Sequence, residues 1–172
     1  MSNKVKILCF DDALEAITIR SVLESFDAKV EIAYIGRPNS FIEELNNSDD
    51  YKYIILSGHG DNKFIMPVLA EDIYEEDEPK DITSEVINEL ININNKIIIS
   101  MCCNTGTTNI AESFIQKGNT YIAPSDFIEG TTALFFVIKF FYEHLVLNKS
   151  VLDAYDASMI NDDETRLYKL FK

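Results

Sequence analysis

Five short apolar runs, each rich in branched side chains and each closed by polar or small residues, limit what this chain can fold into. They are Val5–Phe10, Val30–Ile35, Tyr53–Leu56, Lys96–Ser100 and Tyr121–Ala123. Runs this short and this apolar suit strands covered on both faces. Helical patterns stand between them. Asp11-Asp12 can cap a helix in which Leu14, Ile17, Val22, Leu23 and Phe26 recur at helical spacing. Phe41–Leu45 predicts a short helix after the turn Gly36-Arg37-Pro38-Asn39-Ser40, and Thr83 can open another that runs to Leu90. Asn109–Lys117 predicts a helix stopped by Gly118-Asn119; a long one from about Thr132 to Leu147 and a further one from about Ser150 to Met159 follow. Strand and helix alternating in this way predict an α/β fold: a mostly parallel, doubly wound sheet with helices on both faces.

Three stretches break the rhythm. Phe64–Leu69 reads as a small strand or hairpin arm, with Pro67 keeping it off a central position. The acidic loop Glu71–Asp81 reads as solvated, and the tail 161–172 as polar with a weak Leu167, Leu170, Phe171 stripe.

At 172 residues, with no repeat and no linker, residues 1–172 read as one domain. The net charge of −14 speaks against nucleic acid and anionic membrane as partners, because little basic charge is present to meet phosphates. The most apolar stretch, Ala133–Leu147, carries Lys139, Glu143 and His144 and so reads as a core helix, not a membrane span. Cys9, Cys102 and Cys103 make no disulfide framework, and the chain opens in a strand without a secretion leader. Both point to a reducing cytoplasm. No metal or cofactor is expected from the residue pattern.

Two of the strands end in turns that carry chemistry. Tyr53–Leu56 delivers Ser57-Gly58-His59-Gly60, and Ile97–Ile99 leads to Met101-Cys102-Cys103-Asn104-Thr105-Gly106. An imidazole and a thiol presented at the carboxyl edge of one sheet make a nucleophile and its base. Gly58 and Gly60 let the backbone turn sharply and a substrate approach closely, and the Gly60 amide can face a developing oxyanion. A thiol next to a helix start gains thiolate character from the unpaired amides there. One of the two adjacent cysteines is expected to be structural, and Cys9 likewise, since free cysteines pack as small hydrophobes. His144, on a helix, is read as structural.

Ser57-Gly58-His59-Gly60 resembles the Ser-Gly-His-Gly of metacaspases and related caspase-fold peptidases. Cys103-Asn104-Thr105-Gly106 resembles their Cys-x-Ser/Thr-Gly turn and the Cys-x-Thr-Gly of bacterial CHAT-domain peptidases. The likeness continues through Ile110–Ala123, Phe140–Leu145 and Val151–Ala157, and His59 stands roughly 45 residues before Cys103, near the spacing of caspase-type sites. The resemblance implies a three-layer caspase-like fold and a Cys-His dyad, with His59 as base and Cys103 as nucleophile. It also implies an oxyanion hole built from the amides of Gly60 and Cys103. A competing register, Ser100-Met101-Cys102, resembles the Ser-Ala-Cys that precedes the turn in CHAT sequences and keeps Cys102 as the alternative nucleophile. Metacaspases carry an Asp two places before the nucleophile to recognise a basic residue; Met101 stands there, so that preference does not carry over. Asp61 and Asp126 are the candidates for a substrate-binding carboxylate.

The expected activity is that of a cysteine peptidase, an endopeptidase acting on a peptide or protein through a thioester acyl-enzyme, with room for an activating partner or an oligomer. The alternative is an inactive scaffold or binding module of the same fold, and acyl transfer by the same dyad is a weaker rival. A receiver-like signalling domain, suggested by Asp11-Asp12, is set aside: it needs an aspartate after the third strand and a lysine after the fifth, where Ser57-Gly58-His59 and Pro124-Ser125-Asp126 stand.

Overall fold

The computed structural model describes residues 3–160 and 162–172; Asn161, first residue of the polar tail, lies outside the described residues. The five expected strands are β1 (Asn3–Cys9), β2 (Ala28–Tyr34), β3 (Tyr53–Ser57), β6 (Ile97–Ser100) and β7 (Thr120–Pro124). A two-residue pair, β4 (His59–Gly60) and β5 (Phe64–Ile65), stands apart as a small antiparallel ribbon. The helices are α1 (Ala13–Ser25), α2 (Pro38–Asn46), α3 (Ser84–Leu90), α4 (Thr108–Ile115), α5 (Gly130–Phe141) and α6 (Val151–Ser158). Capping follows the sequence: Asp12 accepts from the Leu14 amide, Thr83 from Val86 and Ser150 from Asp153. The long helix expected from Thr132 to Leu147 is α5 followed by a π turn over Tyr142–Val146.

With a further strand, β8 (Tyr168–Phe171), the main sheet runs β2-β1-β3-β6-β7-β8, and every pairing except the last is parallel. The sixth strand, β8, was expected to be polar tail. It returns antiparallel to β7, and its Tyr168 is buried, stacked 3.7 Å above Phe136. Between β7 and β8 the chain passes through α5, the π turn and α6 before it returns along the sheet edge.

Strand alternation divides the core in two. Ile7, Ile55, Ile99 and Ile122 face α1, α5 and α6, whereas Leu8, Ile54, Leu56, Ile98 and Tyr121 face α2, α3 and α4. Three layers result, helices on both sides of the sheet. Among the described residues no helix is long and apolar enough to cross a membrane.

The acidic loop departs from expectation at one residue. The Glu78 side chain is fully buried, paired with Arg37 and accepting the Asn39 and Glu75 amides. The Arg37 guanidinium holds the Glu78 carboxyl down to about 2. Glu75 pairs with the same arginine, so this loop is pinned at the start of α2.

Candidate active site

The chain leaves β1 for β2 on one side and returns to β3 on the other, so the crevice between β1 and β3 is the switch point of the sheet. Three neighbouring strands, β1, β3 and β6, therefore deliver their carboxyl-end turns side by side. These turns are Asp11-Asp12, Gly58-His59-Gly60 and Cys102–Gly106. His59 and Cys103 border one cleft of about 250 Å3, together with Asp11, Asp12, Glu15 and Glu129.

His59 opens the β4–β5 ribbon. Its side chain is 70% exposed, and its Nε2 lies 2.9 Å from Asp11 Oδ2. With Nε2–H donating to that carboxylate, the neutral ring keeps its lone pair on Nδ1, which is then the basic nitrogen. Gly60 is buried against the cysteine turn. A Cβ there would sit 2.6 Å from the Thr105 methyl, 2.7 Å from the Cys103 carbonyl oxygen and 2.9 Å from Cys102 Cβ. A Cβ on Gly58 would likewise overlap the Phe10 ring. The two glycines thus allow the ribbon to lie directly on the neighbouring turns.

The cysteine turn is held from below. Ser100 Oγ and Thr105 Oγ1 are 2.8 Å apart and both are buried; Thr105 Oγ1 donates to the Cys102 carbonyl, and Ser100 Oγ accepts the Cys102 amide. Tyr121 OH donates to the Thr105 carbonyl from the adjacent strand. Asn104 takes the left-handed conformation (φ 53°), which Asn tolerates better than most residues, and its amide donates to the Asp126 carbonyl. The two thiols consequently diverge. Cys102 is fully buried, its Sγ 3.6 Å from the Leu56 carbonyl, and burial pushes its thiol far above the ordinary range. Cys103 is half-buried on the cleft wall, where Sγ donates to the Ile128 carbonyl (3.3 Å) and accepts the Ile128 amide (3.5 Å).

The cleft is acidic. Burial raises the Glu15 carboxyl, and the carboxylates of Asp12 and Asp11 add to the shift while His59 opposes it. A carboxyl with a raised native pKa costs the folded state most when ionised. The cost fades as pH falls through the window between that raised value and the ordinary 4.5. Glu15→Gln is accordingly expected to raise the melting temperature at neutral pH, with the gain shrinking toward mildly acidic pH. Thermal melts of both proteins across that range check this, and a gain independent of pH would exclude the charge explanation.

The remaining expected residues fall elsewhere. Asp61 and Asp126 do not border this cleft. Asp61 Oδ1 accepts from Asn104 Nδ2, and Asp126 Oδ1 accepts the Phe127 amide, so both brace turns. Cys9 is buried behind Asp11 and Asp12, and His144 bridges Tyr53 OH and the Lys149 carbonyl at the other end of β3. The carboxylates that do border the cleft are Asp11, Asp12, Glu15 and Glu129, of which Asp11-Asp12 read in the sequence only as a helix cap. Strand order was the available signal: an acid after the first strand and a histidine after the third are neighbours in a 2-1-3 sheet. Among the described residues no three His, Cys, Asp or Glu side chains converge to hold a metal ion.

In fold this architecture is similar to that of C11 cysteine proteases of known structure. One match is a secreted C11 cysteine protease from Bacteroides thetaiotaomicron in complex with an irreversible peptide inhibitor. It superposes with a TM-score of 0.57 and 8% identity over 92% of this chain and 58% of that one. A second, the secreted C11 protease "iotapain" of the same organism, gives 0.57 and 11% identity over 92% and 62%. The chain thus spans only about three-fifths of these proteases, and at such identities the likeness is one of fold. No protein-family model and no curated protein matches the sequence.

Proposed function

We propose that this chain is a cysteine peptidase with Cys103 as nucleophile and His59 as its base. One observation carries the reading: a half-buried thiol and an imidazole oriented by a carboxylate border the same cleft, at adjacent strand ends of a protease fold. His59 takes the thiol proton, and Sγ attacks the carbonyl carbon of a peptide bond. The C–N bond breaks, the amine leaves with the proton from His59, and the acyl group stays on Cys103 as a thioester. Water then adds to the thioester, giving the free acid and returning the proton to the thiol. The amides of Gly60 and Cys103 are assigned to the oxyanion. Cys102, with its burial and raised pKa, is assigned a packing role. The three free thiols suit a reducing compartment, and the cytoplasm is the location we assign.

Substrate preference follows from charge. The carboxylates of Asp11, Asp12, Glu15 and Glu129 favour a cationic side chain on the acyl side of the bond, in place of the missing acid at Met101. A second reading, an inactive binding module, draws on the Cys103–Ile128 hydrogen bonds, which engage the thiol with backbone in place of imidazole. The test is labelling with peptidyl chloromethyl ketones ending in Arg, Gln or Glu, mapped by mass spectrometry. The peptidase reading expects Cys103 to be labelled, and the Arg reagent to be favoured about ten-fold over Gln. Labelling as slow as that of a free thiol, whatever the peptide, supports the binding module.

A further inference from the structure

The acidic cleft shares a wall with a second depression. Asp11, Asp12 and His59 border both, but Cys103 borders only the first. The second is an open groove of about 470 Å3 whose other lining is apolar: Phe10, Ile35, Ile65, Met66 and Pro67. Phe10, Ile35 and Met66 are buried and form its floor. Ile65 is the exposed member of the β5 pair, because Phe64 turns into the core.

This wall is built to stay in place. Phe64 and Ile82 exchange backbone hydrogen bonds at 2.9 and 3.0 Å. The Met66 amide donates to Asp81 Oδ1 at 3.1 Å, and Lys63 Nζ pairs with the same carboxylate at 2.6 Å. The groove is thus formed before any ligand arrives, which spares the ordering cost of binding.

We propose that this groove receives the residue on the leaving side of the scissile bond and selects an apolar side chain there. The inference rests on the peptidase reading above. Its geometry follows from the direction of proton transfer. The acyl carbon bonds to Cys103, and the departing nitrogen takes its proton from His59, so the nitrogen lies on the His59 side of the carbonyl. The chain beyond that nitrogen runs over the imidazole and away from Cys103. Successive Cα atoms are about 3.8 Å apart, so the first leaving-side side chain falls within one residue of the ring. The depression that His59 borders and Cys103 does not is this groove, and its lining matches an aliphatic or aromatic group. The protein then reads both sides of the bond: positive charge before it, apolar surface after it.

Quenched fluorescent peptides with Arg before the bond and Leu, Phe, Gly or Asp after it test this on the full chain. Leu and Phe are expected to exceed Gly and Asp by about ten-fold in kcat/KM. Ile65→Asp should flatten the series, and the milder Ile65→Ser should reduce it. A flat series in the wild type, or a preference that survives Ile65→Asp, overturns the proposal. Labelling by the Arg chloromethyl ketone, which has no leaving-side residue, separates the two readings. Cys103 labelled with no peptide cleaved overturns the subsite alone, and neither labelling nor cleavage removes the peptidase reading and the subsite with it.

Discussion

Cys103→Ala is expected to abolish labelling by the Arg-ending electrophile and to lower peptide hydrolysis at least ~10³-fold. His59→Ala is expected to lower both by about 10²–10⁴-fold. Neither change should move the unfolding transition much, because His59 is largely exposed and Cys103 only half-buried on a cleft wall. Cys102→Ala is the informative contrast. It removes a sulfur from a fully buried site, so stability falls by about 1 kcal/mol while labelling at Cys103 persists. Peptide mapping after labelling, together with urea unfolding of the three variants, reads both quantities. If Cys103→Ala is still labelled at Cys102, the nucleophile has been assigned to the wrong neighbour.

Gly60→Ala is the second large effect expected. Its new Cβ would meet the Cys103 carbonyl and the Cys102 Cβ at under 3 Å, and neither belongs to the free end of a flexible side chain. Thr105, the third contact, is buried and held by Ser100. The ribbon must lift, and it carries His59 with it. A displacement of about 1 Å in a catalytic group costs roughly 10²-fold in rate, and overpacking of this kind costs about 1–3 kcal/mol. Gly36, where an added Cβ meets nothing within 4 Å, supplies the control. Matching kinetics for Gly60→Ala and Gly36→Ala would mean that the contact between ribbon and turn does not position the imidazole.

The four inner parallel strands were legible because most of their residues are buried and apolar, and the edge strand β2, only partly buried, because Val30 and Ile32 alternate with Lys29 and Glu31. The motif turns were legible because glycine, histidine and cysteine at strand ends are uncommon enough to stand out. β8 was not legible. Its four residues, Tyr168–Phe171, carry a lysine and follow a polar stretch, and they become a strand because Tyr168 finds Phe136 and β7 offers an edge. Propensity cannot report a partner that lies some thirty residues away along the chain. The partnership of Asp11 with His59 was hidden for a related reason: it depends on strand order, which local patterning does not encode. Glu78 was hidden because an acidic run looks solvated until one member meets an arginine.

The returning strand has a consequence for the site. The Leu167 carbonyl, just before β8, accepts both the amide and the hydroxyl of Ser125, and Glu164 accepts the Glu129 amide. The segment between those anchors gives Asn104 its backbone acceptor at Asp126 and gives the Cys103 thiol its partners at Ile128. Residues 164–171 therefore serve as the far abutment of a short bridge whose other footing is the cysteine turn. Loosening that abutment would slacken one wall of the cleft before it disturbed the strands that carry histidine and cysteine.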